Sequence, residues 1–386
     1  MDIPHAVLVG LGLVPSTGGP PKTMGLFKKA LGADVVSFTS PQSLENEGSA
    51  IEDTVHVPIA RGLRGRGYSF AEPSALVPAE ELVSKAGLLS CHILYRYHVH
   101  WVRRMAVQHR IPYWVVPHGC LDPYVFTYRG WVKKLWFQWI GKPFLKHAAH
   151  IICATEAERR KLRRYYEGDN LRVVHWPVIP MDTSQRTVQR EALRKKLGIP
   201  QDARVLLYLG RLHPMKRPLE TIQVIARAYC DNVHLIVVGP EERYTVGQCQ
   251  DYADAVGAKN VHVVGPAFGE GKNAYCLASD GFISLSIREN FGHTAAESLT
   301  AELPLILSPG NDLAPELAPL HCGWMLQDDR LETAVNAVRD FATVDPADLE
   351  ARGKRGQAWA LEELSFERFS YKIRMLAQEA VKQPRA

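Results

Sequence analysis

Short apolar runs alternate with longer stretches of helical spacing along most of the chain. In the first half, Ala6–Val14, Val35–Thr39, Ile93–Tyr97, Tyr113–Pro117, Ile151–Ala154 and Leu171–His175 read as strands. Helical patterns lie between them, among them Pro21–Leu31, Trp131–His147 and Glu156–Tyr165. Strand–helix alternation predicts a parallel sheet covered on both faces. Periodicity then fades over Trp176–Ser184, which holds Pro177 and Pro180 and reads as a linker. Beyond it the alternation restarts. Val205–Leu209, His234–Val238, Val261–Val264, Gly281–Leu285 and Leu305–Leu307 predict strands, and Pro218–Cys230, Val246–Val256, Thr294–Ala301 and Leu331–Phe341 predict helices. The tail Phe366–Val381 carries apolar residues at Phe369, Ile373, Leu376 and Ala380, the stripe of one amphipathic helix.

This reading gives an α/β chain with domains at 1–178 and 179–365 and a helix at 366–386 that can cross back to the first domain. Two doubly wound domains facing a central cleft would offer a ligand the carboxyl ends of their strands. A length of 386 residues agrees with two cores. The hydrophobic share of 46% and charged share of 23% are those of an ordinary globular protein.

The start, Met-Asp-Ile-Pro-His, lacks the basic residues of a signal peptide, and no apolar run is long enough to span a bilayer. A cytoplasmic protein is expected, with peripheral contact at the cytoplasmic membrane face left open. Seven scattered cysteines with no CxxC pair suggest free thiols, and Cys120, close to His118, reads as a small buried residue. The formal charge of +5 comes without a nucleic-acid-binding motif, so no nucleic-acid partner is expected.

Four segments carry candidate chemistry. The strongest is Ser286-Ile-Arg-Glu-Asn-Phe-Gly-His-Thr-Ala-Ala-Glu297. Glu289 falls in a loop after a predicted strand, and Gly292 opens a helix holding Glu297. The N–H groups of Phe291, Gly292 and His293 would lie at the helix start, where anions and hydroxyls bind. Taken alone, the two glutamates are equally compatible with solvated side chains. A second segment, Tyr208-Leu-Gly-Arg-Leu-His-Pro-Met-Lys-Arg-Pro218, offers Arg211 and Lys216 at a strand's carboxyl end. A guanidinium fork and an ammonium suit a diphosphate. A third is Ser16-Thr-Gly-Gly-Pro20, where Gly18 and Gly19 allow close backbone approach. The fourth, Val116-Pro-His-Gly-Cys120, ends a strand with His118.

The first segment resembles the E-x7-E motif of the GT4-type retaining glycosyltransferases (glycosyltransferase group 1, GT-B fold). The second is similar to that family's GRL-x3-K motif. The resemblance implies two Rossmann-like domains around a cleft and a nucleoside diphosphate sugar as donor. Residue by residue, it implies that Glu289 contacts the donor sugar near its reacting carbon. Asn290, Phe291, Gly292 and His293 would grip sugar hydroxyls, and Glu297 would hold the ribose. Arg211 and Lys216 would neutralise the leaving diphosphate. Gly18 and Gly19 would approach the phosphates, His118 the sugar, and Pro266 would border the base. A glycan or lipid-linked saccharide would accept the sugar, in cell-surface polysaccharide assembly. The family's usual stretch after the next strand is replaced here by Trp176-Pro-Val-Ile-Pro180. No Asp-x-Asp flanked by apolar strands occurs, so neither a metal nor another cofactor is expected.

Two other readings share this architecture. One is a sugar-nucleotide epimerase, which would need a base beside the sugar's second carbon. The other is a non-catalytic nucleotide-sugar-binding protein. The stretch 129–147 mixes Arg129, Lys133, Lys134, Lys142 and Lys146 with Trp131, Trp136, Phe137, Trp139 and Phe144. It fits a helix packed on the sheet with a lysine stripe in water, or one lying in a membrane interface. Arg61, Arg64 and Arg66 in a glycine-rich loop are candidates for an acceptor phosphate.

Overall fold

Two parallel sheets dominate the computed structural model, which describes residues 3–60, 68–127 and 130–382. The loop arginines Arg61, Arg64 and Arg66, and Arg129, lie outside the described residues. Chain contacts divide the protein into Met1–Pro177 with Phe366–Ala386, and Val178–Ser365. The first unit holds strands β1 (Ala6–Leu11), β2 (Asp34–Thr39), β3 (Thr54–Pro58), β4 (Leu88–His92), β5 (Tyr113–Val116), β6 (His150–Cys153) and β7 (Leu171–Val173). Their order across the sheet is β3-β2-β1-β4-β5-β6-β7. Val7, Val9, Val36, Leu89, Val115 and Ile151 are fully buried in its core. The second unit holds β8 (Arg204–Leu209), β9 (Val233–Val238), β10 (Val261–Gly265), β11 (Gly281–Ser284), β12 (Leu305–Leu307) and β13 (Gly323–Met325), ordered β10-β9-β8-β11-β12-β13. Every pairing in both sheets is parallel. The strand order reverses between β1 and β4 in one sheet and between β8 and β11 in the other. A doubly wound sheet opens a crevice at that point.

The tail helix Phe366–Lys382 belongs to the first unit. Its buried stripe, Phe369, Ile373, Leu376, Ala377 and Ala380, follows the expected spacing. Phe369 packs edge-on against Phe27 at 5.2 Å and Trp176 at 6.2 Å, in the geometry aromatic rings prefer. The Arg374 guanidinium donates to the Ala30 carbonyl at 2.8 Å.

Several expectations need correction. The strand expected at Ile93–Tyr97 runs instead over Leu88–His92, and Tyr97 opens the helix Tyr97–His109. Ser90 and His92 break the apolar run of β4, which moved the expected strand downstream. Edge strands β3 and β13 were not anticipated, being short and only half-buried. Helix Arg186–Leu197 was also missed. It buries only Leu193 and Arg194, so it has no apolar stripe to read. Arg194 instead reaches Asp280 at 2.6 Å and the carbonyls of Ala203 and Gln201. A buried charge is tolerated when so satisfied. No described helix is long and apolar enough to cross a membrane.

Candidate functional site

In the second unit, the loops after β8 and β11 carry most of the candidate residues to the point where the strand order reverses. After β8, His213 caps a short turn by accepting from the Met215 N–H, and Lys216 lies at the end of that turn. After β11, the chain is held as a one-residue extension of the sheet. The Glu289 N–H donates to the Gly310 carbonyl at 2.8 Å, and the Asp312 N–H donates to the Glu289 carbonyl at 2.9 Å. This bridge fixes the Glu289 backbone. Its side chain meets the Lys216 ammonium in an ion pair. Lys216, Glu289, Ser284, Ser286, Tyr208 and Thr294 all line one small cavity between the carboxyl ends of β8 and β11.

Burial, with the guanidiniums of Arg211 and Arg288 nearby, pushes the Lys216 ammonium down to about 8. The Glu242 carboxylate works the other way. Arg211 itself pairs with Glu242 at 2.6 Å. Tyr208 holds the Arg211 carbonyl at 3.0 Å, which anchors the backbone of that loop.

Gly292 caps helix His293–Thr300 with φ 76, a left-handed conformation that favours glycine. A Cβ there would also lie 2.8 Å from the buried Asn311 amide. Gly310 has no more room, since its Cβ would fall 2.2 Å from the Ser286 carbonyl. Phe291 is buried and packs edge-on against His293 at 5.0 Å, and Asn290 is half-buried. Glu297 lies one turn into the helix, 8% exposed. Its carboxylate accepts from the Lys272 ammonium at 2.6 Å. Pro266 is exposed in the loop after β10.

The first unit places its candidates at the carboxyl ends of β1 and β5. Gly18, with φ 85, and Gly19 open helix Gly19–Leu31, and a Cβ on either would meet nothing within 4 Å. His118 follows β5 with φ 51, an uncommon conformation for a non-glycine residue. Its ring Nε2 lies 2.9 Å from Nδ1 of His92, the last residue of β4, and His92 Nε2 lies 3.0 Å from the Ser90 hydroxyl. Burial, together with the His118 and His98 rings, holds the His92 pKa well below the ordinary histidine value, so it stays neutral. The next residue is clamped as well. The buried Glu158 carboxylate accepts from the Gly119 N–H at 2.6 Å and the Ala154 N–H at 2.7 Å. His118 is thus held through its ring and through its backbone.

The structure gathers Lys216, Glu289 and Gly292 around one sheet edge, whereas Gly18, Gly19 and His118 belong to the other unit. Sequence reasoning missed Lys272, Glu242, Asn311, Glu158 and His92. Most of them are reached only across the fold, from elements distant in sequence. Among the described residues, no three His, Cys, Asp or Glu side chains assemble as metal ligands. All seven cysteines are free thiols.

Residues 189–359 match the model for Glycosyl transferases group 1, and residues 29–178 match that for a Glycosyl transferase 4-like domain. The D-inositol 3-phosphate glycosyltransferase of Streptomyces avermitilis is 29% identical over 223 residues, covering 55% of this chain and 47% of that protein. The chain spans about half the length of the curated relatives it matches. Among solved structures, Anabaena Alr3699/HepE in complex with UDP superposes with a TM-score of 0.75 at 16% identity, covering 96% of this chain and 98% of that one. Sucrose-phosphate synthase from Thermosynechococcus elongatus gives 0.71 at 19% identity, covering 97% and 98%. At such identity these likenesses concern the fold, two Rossmann-like parallel-sheet domains of the GT-B type.

Proposed function

Because the chain belongs to the group 1 glycosyltransferases, GT4-type enzymes of the GT-B fold, we propose that it moves a sugar from a nucleoside diphosphate sugar to a hydroxyl of a glycan or lipid-linked saccharide. The transfer retains the anomeric configuration, and the enzyme works in the cytoplasm, in cell-surface polysaccharide assembly. The observation that carries this reading is the Lys216–Glu289 pair in the crevice between β8 and β11. It sets a cation for a leaving phosphate beside a carboxylate for a sugar. A relative solved with UDP supports the donor class.

In this reading the bond from the anomeric carbon to the β-phosphate oxygen breaks, leaving positive charge on the sugar and negative charge on the diphosphate. Lys216 and Arg211 stabilise the departing charge, and their position before reaction makes that stabilisation effective. Glu289 lies on the sugar side. The acceptor oxygen bonds to the same face that the phosphate leaves, and its proton passes to the departing phosphate. The N–H groups around Gly292 and His293 hold sugar hydroxyls, with Asn290 and Phe291 shaping that turn. Glu297, oriented by Lys272, takes the ribose hydroxyls, and Pro266 borders the base. Gly18, Gly19 and His118, in the first unit, keep in this proposal the roles that the family resemblance implies for them. The two cations do the work a divalent metal does elsewhere, so no metal cofactor takes part.

A screen of nucleotide sugars for thermal stabilisation tests the donor, because a ligand that binds only the folded state raises Tm. Product formation with a glycan panel, read by NMR for anomeric configuration, tests the reaction. Stabilisation by no nucleotide sugar, or an inverted product, would overturn the proposal. An epimerised sugar formed from donor alone would replace it with the epimerase reading.

A further inference from the structure

Residues 130–146 form one helical stretch of unusual construction. Its first part is Gly130–Trp136, its middle Phe137–Gly141 is a wide π turn, and its last part is Lys142–Lys146. The stretch packs one side on the core and leaves the other open. Phe137, Phe144 and Leu145 are buried in the core of the first unit. On the other side, Trp131 is 72% exposed and Trp139 is 79% exposed, with Val132 and Leu135 beside them.

The π turn decides where the lysines point. In an uninterrupted α-helix at about 100° per residue, Lys142 and Lys146 would sit roughly 80° and 120° around from Lys134. One residue absorbed by the wide turn brings both within about 20° of it. All three line one groove together with Arg163, Arg164 and Tyr165, and among the described residues a single carboxylate, Glu167, lines it too, so cations outnumber carboxylates there five to one. None of these five cations has a carboxylate partner among the described residues. Lys133 differs, since its ammonium donates to the Val125 carbonyl at 2.6 Å.

We infer that this groove and the adjoining tryptophan face form a docking surface for an anionic phospholipid bilayer, with headgroup phosphates between the cations and Trp131 and Trp139 in the interface. Unpaired cations that converge on one groove call for a polyanion. Large exposed tryptophans on the neighbouring face call for a partner that is apolar beneath its charge. An anionic bilayer supplies both, whereas a soluble phosphate supplies only the first. The surface is independent of the proposed transfer chemistry, which uses none of these residues.

The test is sedimentation of the full chain with sucrose-loaded vesicles of phosphatidylcholine, with and without about a third phosphatidylglycerol. Binding to anionic vesicles at low salt should fall steeply as salt approaches about 0.5 M, where screening is short-ranged. The variant K134E/K142E/R163E should lose at least about tenfold in partitioning, as three charges near a lipid surface imply. W131A/W139A should weaken binding while leaving its salt dependence. Melting temperature, and transfer to a soluble acceptor, should be unchanged in both variants. Equal binding to neutral vesicles, no binding at low salt, or full binding by the charge-reversed variant would overturn the inference. So would complete competition by micromolar inorganic pyrophosphate, which would make the groove a site for soluble phosphates.

Discussion

If Lys216 neutralises the leaving diphosphate, nucleotide affinity must follow its protonation. Its environment lowers the ammonium to about 8, from burial first and the Arg211 and Arg288 charges next. One unit above that value only about one molecule in eleven carries the charge. At pH 8 about half the molecules carry it, so affinity that requires the charge weakens about five- to sixfold between pH 8 and pH 9, or about 1 kcal/mol. Folding linkage runs the other way. The pKa is lower in the folded chain than the ordinary 10.5, so between about 8 and 10.5 the unfolded chain holds more protons. This group therefore adds stability as pH rises through that window, and a loss of binding there is not unfolding by this residue. Calorimetric titration of a nucleoside diphosphate from pH 7 to 9.5 reads the effect directly. Lys216→Arg keeps a cation that stays charged throughout and should flatten the curve. Glu289→Gln removes the carboxylate in contact with Lys216 and should move the midpoint to lower pH. A flat profile in the unmodified enzyme, or the same slope in Lys216→Arg, would refute the assignment of Lys216 to the diphosphate.

Further outcomes separate the other residues. Glu297→Ala should weaken nucleoside diphosphate binding by about tenfold or more, as the loss of a charged hydrogen bond of about 1.5–3 kcal/mol implies; calorimetry reads it. Glu289→Ala should leave that affinity equal or tighter, since Lys216 loses its competing partner, while initial rates fall because an interaction made in the transition state is gone. His92→Leu should lower turnover by about tenfold with nucleotide affinity unchanged, and His92→Asn, which keeps a polar atom near the Nδ1 position, should recover much of it. Transfer should persist in EDTA, and a complete loss restored by magnesium or manganese would sink the metal-free mechanism.

The sheets were legible because β8, β9 and β12 are nearly continuous apolar runs, and the tail helix because its stripe is regular. Where the pattern failed, polar chemistry had replaced it. β4 reads poorly because Ser90 and His92 stand where apolar residues would, and both serve the chain of contacts that ends at His118. Helix Arg186–Leu197 reads poorly because a satisfied Arg194 takes the place of an apolar anchor. Of the candidate site, the motif residues could be named from their spacing and family resemblance. Their partners could not. Lys216 and Glu289 stand 73 positions apart, and Lys272 and Glu297 stand 25 apart. Only the placement of β11 beside β8 makes neighbours of the first pair. The wide turn at Phe137–Gly141 was equally hidden, since it leaves the composition of the helix unchanged.

Those partners change what donor binding must accomplish. Arg211, Lys216 and Glu297 each hold an opposite charge from their own unit: Glu242, Glu289 and Lys272. A diphosphate reaching this edge does not meet bare cations but exchanges with carboxylates already in place. The net gain is the difference between two charged pairings, which is smaller than either pairing alone. The two exchanges at the cations are not equal. Arg211 is 54% exposed, so its pair with Glu242 is weak and easily given up. Lys216 and Glu289 are 18% and 21% exposed, and parting them is costly unless phosphate and sugar arrive together to satisfy both. A free nucleoside diphosphate can satisfy the lysine but leaves the carboxylate unpaired. A sugar nucleotide offers hydroxyls to Glu289 at the moment its phosphate takes Lys216. In the proposed reaction the pair therefore favours the intact donor over the spent nucleotide, and after transfer Glu289 can reclaim Lys216 and help expel the product.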